Sequence, residues 1–495
     1  MRRHLMCVLL AFISTFVGVS KGQRLEDGAC PSFESNPWCP CYHINSDVFL
    51  ECPMVSLGVV NSVLRMIQRP IMSFSIYDLD PNVTVLPSYL FKDSVIWTLH
   101  LSHSNVSVIH EKTFRGLEDT LKKLTLMHSK LTEVPQSAIQ KLRRLELLDL
   151  EANNIKQIQG DSFFGMKLTS LNLNGNGLNY ISEYAFDGLE DSLKELNLMN
   201  NALERLPISS VRRLKKLKSL KVTWNLIEEV QEDGVFSHLN ELRELRLQNN
   251  EIRTINKKTF SPLKNLLELH LQENKIESIA KEAFYSLEHL QQLDLYGNRL
   301  VHFPDILSRY PANLMILRAS KNNITTIHDD AFRGQSKLEI LWLSENNISS
   351  IKEIVFSDLS SLKQLHLEFN RIDYIQDNTF RNLKKLEKTL DISNNPISEF
   401  TISTERLKNL KELDLSSTHL KSPTLYTYRR FLRLKFLSLS NNSLADFPTG
   451  SFASSSLEEL NLSNNNLKEI PRSFLTDRPP MLKKLNVSGN PLNRA

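Results

Sequence analysis

The stretch "LRELRLQNNEI", Leu242 to Ile252, spaces three leucines, an asparagine and an isoleucine as LxxLxLxxNxI. "LLELHLQENKI", Leu266 to Ile276, repeats that spacing. Stepping outward at intervals of 23 to 25 residues, the asparagine position falls on Ser104, Ser129, Asn153, Asn176, Asn201, Asn225, Asn250, Asn274, Asn298, Asn322, Asn346, Asn370, Asn395, Thr418, Asn442, Asn465 and Asn490. Fourteen of these seventeen are Asn and the others are small hydroxyl residues, so one structural unit recurs from Ser104 to Asn490. A repeat of this length cannot bury its apolar face alone and must stack on its neighbours.

The period and motif resemble the leucine-rich repeat. The implied fold is an α/β solenoid, an open horseshoe with a concave parallel sheet and an irregular or short-helical convex side. Leu245 and Leu247 should point inward from a short strand and stack on the leucines of the next coil. Where the chain leaves the strand, backbone groups facing that apolar column need partners. Asn carries both a donor and an acceptor and can bridge its own coil to the next. Phe260, Phe284, Phe332, Phe356 and Phe380 recur at the repeat spacing and should form an aromatic spine on the far side.

Residues 1–22 read as a secretory signal: Arg2 and Arg3 lead, Leu5 to Val19 is apolar, and Ser20 with Gly22 gives a small-x-small cleavage site. That apolar run is shorter than the ~20 residues a bilayer span needs. Cleavage removes Arg2, Arg3 and Lys21 and no acid, lowering the formal charge from +4 to +1. No bulk charge then argues for nucleic acid. Cys7 is lost as well, leaving Cys30, Cys39, Cys41 and Cys52, an even set that reads as two disulfides in an oxidising compartment. The rival, a zinc site, lacks CxxC spacing and a paired histidine motif. Four cysteines allow three connectivities. The domain reading is a signal over 1–22, a cysteine-rich N-terminal cap over 23–55, irregular first repeats over 56–98 and about seventeen repeats over 99–495.

"CPSFESNPWCPCYHINSDVFLEC", Cys30 to Cys52, resembles the N-terminal cap of extracellular leucine-rich repeat proteins. That resemblance implies pairing of Cys30 with Cys41 and of Cys39 with Cys52. "GNPLNRA", Gly489 to Ala495, resembles the start of the family's C-terminal cap, with Arg494 where a first cap cysteine is expected. The expectation is therefore a missing C-terminal cap, and membrane attachment only if a longer product carries an anchor. "TFRGLEDTLKKLTL" (Thr113 to Leu126) and "AFDGLEDSLKELNL" (Ala185 to Leu198) share a GLEDxL linker, with KLRRL- or RLKKL-type coils between them. With the CxC cap, that alternation looks like the chaoptin family of photoreceptor cell-adhesion proteins. It is also similar to the non-catalytic leucine-rich repeat subunit of a secreted shrimp luciferase and to Toll-type ectodomains.

Outward positions of the concave strands hold Tyr296, Ile316, Arg318, Ile340, Trp342, His366 and, one step further round, Phe369, where other repeats carry mostly Asn, Asp, Glu, Ser or Lys. An exposed apolar patch containing Trp, Tyr and Arg has the composition of a protein-binding hot spot; scattered surface aromatics are the plain alternative. N-linked sequons fall at Asn82, Asn105, Asn323, Asn347, Asn441, Asn461 and Asn486. Glycans on Asn461 and Asn486 would cover the concave face of the last coils. His100, His103 and His128 lie near one another but lack an evident third ligand beyond Asp149 or Glu151, so no metal is assigned. "VRRLKKLKSLK", Val211 to Lys221, is a basic run that reads as a solvated face sooner than a sulfated-glycan site. No nucleophile, base and orienting group converge, so no enzyme, cofactor or small-molecule substrate is expected.

These features lead to an extracellular glycoprotein that recognises an extracellular or cell-surface protein, in adhesion or receptor-type binding, with homophilic contact as one form. The alternatives are a soluble accessory subunit of a secreted enzyme and a soluble decoy of a Toll-like receptor.

Overall fold

The computed structural model describes residues 30–31, 36–45, 47–230, 236–303, 313–400, 407–421, 431–446, 456–472, 474 and 479–493. The signal segment 1–22 lies outside them. Among the described residues, 20 strands form one sheet. Each strand pairs in parallel with the next along the chain, except for the first pair, Cys41–Ile44 with Asp47–Pro53, which is antiparallel. The chain is thus a parallel-sheet solenoid.

The strands shorten along the chain. Ile71–Tyr77 and Ile96–Ser102 have seven residues, Lys123–Met127 has five, and Leu147–Asp149 and the later sheet strands have three. Three residues suffice because each coil contributes only its LxL core. Leu245 and Leu247 are fully buried, and Leu245 is in register with Leu220 on one side and Leu269 on the other. The apolar column runs through the chain as one cluster from Cys39 to Phe474.

The N-terminal end is closed by disulfides joining Cys30 to Cys41 and Cys39 to Cys52, the pairing implied by the cap resemblance. A helix, Leu57–Met66, follows the cap. The Ser56 hydroxyl accepts from the Val59 amide at its start, and Val60, Val63 and Leu64 form the buried face.

The convex side is built of turns, two-residue strand pairs such as Gln157–Ile158 with Tyr180–Ile181, and two helical turns, Gln136–Ile139 and Ile208–Val211. The phenylalanine spine is present in segments. Phe236, Phe260 and Phe284 stack with ring centroids 5.9–6.0 Å apart, and Phe332, Phe356 and Phe380 continue it at 6.0–6.3 Å. At the two helical coils, which follow Pro135 and Pro207, Ile139 and Val211 are fully buried. In the GLEDxL linkers, Glu118 accepts from the Gly116 amide at 2.6 Å and Glu190 from the Gly188 amide at 2.8 Å. Gly116 has φ +102°, and a β-carbon there would lie 2.3 Å from the Lys92 carbonyl oxygen, so only glycine fits.

Candidate binding face

The asparagine ladder fixes the edge from which the concave side chains project. Asn250 donates from Nδ2 to the Val222 carbonyl of the preceding coil and to its own Leu247 carbonyl, both at 3.0 Å. Its Oδ1 accepts from the Ile227 amide at 3.2 Å. The same three bonds recur at Asn274, Asn298, Asn322, Asn346, Asn370 and Asn395. The first two positions are served by hydroxyls, Ser104 and Ser129, 2.8 Å apart.

Thr418 performs only part of this task. Its hydroxyl donates to its own Leu415 carbonyl at 2.6 Å and, among the described residues, makes no bond to the preceding coil. The Ile397 amide, whose counterparts bond to a ladder asparagine, bonds to the Asn395 carbonyl at 2.8 Å.

The residue immediately before each of the seventeen ladder positions is left-handed, with φ between 49° and 70°. Gly and Asn tolerate that backbone, while other L-residues pay about 1–2 kcal/mol. Gly or Asn stands at eight of these positions, including Gly175, Asn200, Asn249 and Gly297. Trp224 and Phe369 stand there too, 60% and 56% exposed. Each combines an unfavourable backbone with an exposed ring. Sequence reasoning named Phe369 and passed over Trp224, although Trp224 precedes Asn225 just as Phe369 precedes Asn370. His103 and His128 occupy the same step, with rings stacked 4.6 Å apart. Burial and nearby Lys123 push the His100 imidazole below its ordinary range, against the pull of Asp149.

The other named residues come together on adjacent strands. Asp294, Arg318, Trp342, His366 and Asp391 are successive cross-strand partners. The Arg318 guanidinium lies 4.3 Å from the centre of the Trp342 ring and pairs with Asp294 at 3.8 Å. His366 meets Trp342 edge-on at 5.7 Å. Ile316 and Ile340 form the parallel row beside them. Tyr296 lies one step further along its coil, with Lys321 above its ring at 5.3 Å. Lys321 also reaches Glu273, two coils back, at 3.3 Å, across Gly297. A β-carbon on Gly297 would approach the Glu273 carboxylate to 2.7 Å.

The patch is less exposed than expected. Tyr296, Ile316, Arg318, Ile340, Trp342 and His366 are half-buried, because strands ~4.8 Å apart set neighbouring side chains against one another. Only Phe369 stands clear.

One bond common at this strand position is absent along this row. In several other repeats the same strand position holds Asp or Asn, whose side chain accepts from the amide two residues on: Asp149 from Glu151, Asn197 from Met199, Asp414 from Ser416 and Asn461 from Ser463, at 2.8–3.1 Å. Arg318, Trp342 and His366 cannot make it, and neither can Lys221, Arg246 and His270, which hold the same position on three earlier strands. At the end of the row, burial, with Glu368 and Asp414 adding to it, pushes the Asp391 carboxyl up to about 6.

Of the sequon asparagines, Asn82, Asn105, Asn323, Asn441 and Asn486 are exposed, and Asn347 and Asn461 half-buried. Asn461 and Asn486 are cross-strand partners on the concave sheet. The basic run is matched by acids on neighbouring coils: Arg212 pairs with Glu183, Arg213 with Asp187 and Lys216 with Glu241.

Six stretches, 119–178, 191–252, 240–300, 312–372, 362–420 and 433–492, match the family described as leucine rich repeat, together well over half of the chain. The chain belongs to the leucine-rich repeat family. It is 36% identical over 124 residues to leucine-rich repeats and immunoglobulin-like domains protein 1 of Homo sapiens, covering 25% of this chain and 11% of that protein. It is 31% identical over 167 residues to Tsukushi of Mus musculus, covering 33% and 46%. Over 172 residues it is 28% identical to chaoptin of Drosophila melanogaster, covering 30% and 13%, in line with the chaoptin-like resemblance. The chain spans less than half the length of each of these relatives. Among solved structures, the Drosophila Toll–Spatzle complex matches with a TM-score of 0.77 at 20% identity, covering 94% of this chain and 67% of that one. That likeness is one of fold.

Proposed function

We propose that this leucine-rich repeat chain is an extracellular protein-recognition module, acting in cell adhesion or receptor-type binding through its concave face. The observation that carries this reading is the Arg318–Trp342–His366 row. There, as at Lys221, Arg246 and His270, the chain lacks the strand-exit bond that Asp or Asn makes in several other repeats, and only there does it set a guanidinium on an indole beside Ile316 and Ile340, among the described residues. Side chains that abandon a local structural role without an evident gain in stability mark functional positions. A central Trp and Arg, rimmed by Tyr296 and Phe369, match the residue types that dominate binding energy.

Extracellular placement is supported by the two cap disulfides and by the sequons on accessible surface. Among the described residues, no helix is long and apolar enough to cross a membrane. The role is non-catalytic: the sheet presents side chains on an open surface, where little water is excluded. Affinity would come from a few anchors on a preformed scaffold, at little ordering cost.

The test is a binding screen of the glycosylated chain against recombinant cell-surface ectodomains, this chain included. A binder is expected whose affinity falls by tenfold or more with Trp342→Ala, while the melting temperature of the variant stays within a degree or two of the parent. A binder indifferent to both Trp342→Ala and Arg318→Ala, or a variant that loses stability with binding intact, overturns the reading. Copurification of the native protein with a smaller catalytic chain would instead establish the accessory-subunit role.

A further inference from the structure

Beside Trp342 the concave face turns from aromatic to acidic. His366 ends the strand Gln364–His366, Glu368 follows two residues later, and Asp391 is the cross-strand partner of His366 on Thr389–Asp391. One ligand atom from each of the three lies within 4.8 Å of the other two. Asp414 extends the acidic row on the next strand.

Little positive charge answers these groups. Among the described residues, Glu368 pairs only with His366, at 3.6 Å, and neither Asp391 nor Asp414 has an ion pair with a lysine or arginine. The Asp391 and Asp414 carboxylates accept from the Ser393 and Ser416 amides at 3.0 and 2.8 Å. Glu368 Oε2 is shielded from solvent and accepts no hydrogen bond. A shielded carboxylate oxygen without a donor is unfavourable unless a cation serves it.

A second mixed cluster on the same sheet, Glu244, Glu268 and His270, differs on this point. Its Glu244 carboxylate is already held by the Arg246 side chain and by the Ser219 hydroxyl. Its charge has an arginine partner; among the described residues, Glu368 has only the His366 imidazole and Asp391 has no lysine or arginine.

We propose that His366, Glu368 and Asp391 form a zinc site on the concave face. An imidazole nitrogen and two carboxylate oxygens are ordinary zinc donors, with bond lengths of about 2.0–2.2 Å. A tetrahedral ion brings its donors to ~3.4 Å from one another, so small side-chain rotations close the present spacing. The ion offsets the charge of Glu368 and Asp391 and gives Glu368 Oε2, which faces the His366 imidazole at 3.6 Å without a hydrogen bond, a direct ligand contact. The edge-on Trp342 ring limits the orientation of the His366 imidazole. Three protein ligands leave a fourth position on the open face, available to water or to a carboxylate or imidazole of a partner. Calcium is disfavoured because it takes six to eight oxygen ligands, and this site offers a nitrogen and few oxygens. The ion site shares His366 with the recognition row, and zinc uptake is read independently of partner binding.

The experiment is equilibrium dialysis of the intact glycosylated chain against buffered zinc chloride, with bound metal read by mass spectrometry. One tightly bound zinc per chain is expected. His366→Gln, Glu368→Gln and Asp391→Asn should each weaken it by more than about tenfold, while Glu244→Gln leaves it unchanged. Peptide-resolved labelling with diethyl pyrocarbonate tests the unmutated chain: zinc should protect His366 from modification. Absence of zinc binding by the folded chain, binding unaffected by the three substitutions, or full labelling of His366 in zinc overturns the proposal. Equal uptake of calcium or magnesium at the same residues overturns the choice of ion.

Discussion

Replacing Asn250 by Ala is expected to lower the stability of the solenoid by about 2–4 kcal/mol, a large share of what holds a domain folded. The substitution takes donors from the Val222 and Leu247 carbonyls and an acceptor from the Ile227 amide. Ile227 is buried and its amide is left unpaired, at about 1–3 kcal/mol, while the Val222 and Leu247 carbonyls each lose one bond but keep the donors of Asn225 and Asn274. The effect should be local at first, because coils contact only their neighbours. Hydrogen exchange should therefore accelerate most at Ile227 and at the two coils on either side, and urea unfolding should lose its single transition. Asn250→Asp should fall between parent and Ala, since a carboxylate keeps the acceptor and loses the donors. A loss of less than about 1 kcal/mol would mean that the sheet alone sets the coil spacing.

Replacing Trp224 and Phe369 together by Asn is expected to raise stability by about 2 kcal/mol while weakening partner binding. Both residues hold left-handed backbone, with φ of 56° and 55°. Asn adopts it more readily, relieving about 1 kcal/mol at each site. Little is lost in exchange, since both rings are more than half exposed. A higher melting temperature with reduced binding would identify two positions where stability is given up for recognition. Unchanged binding would confine the interface to the Arg318–Trp342 row. Lower stability would mean that the rings pack on a surface more than their exposure suggests.

The solenoid was legible because a repeat forces one residue type into one place many times over. LxL and the ladder asparagine could be read from Leu245, Leu247 and Asn250 alone. So could the aromatic spine, although not its interruptions, where Pro135 and Pro207 start helical turns with a smaller apolar residue. Composition pointed to Trp342 and Arg318, while their half-burial depends on side chains from adjacent strands, which no single repeat contains. Trp224 was hidden for a different reason. Its meaning lies in the backbone angle required just before the ladder, and the Asn and Gly residues that reveal the rule belong to other coils. The acidic cluster needed still more: His366 and Asp391 are 25 residues apart, and only the cross-strand register makes them neighbours.

Thr418 gives the chain a seam. Between the coils of Asn395 and Thr418 the main-chain ladder continues, with the Ile392 amide bonded to Asp414 and the Asn394 amide to Ser416. Among the described residues, the side-chain rivet found at the preceding ladder steps from Asn153 onward is missing here, and the Ile397 amide has turned back to its own coil. If the solenoid is pulled end to end, tension is the same in every joint, so the joint with fewest cross-links parts first. Such a joint would act as a mechanical fuse, yielding at one fixed place and leaving the Arg318–Trp342 face and its neighbours folded under load.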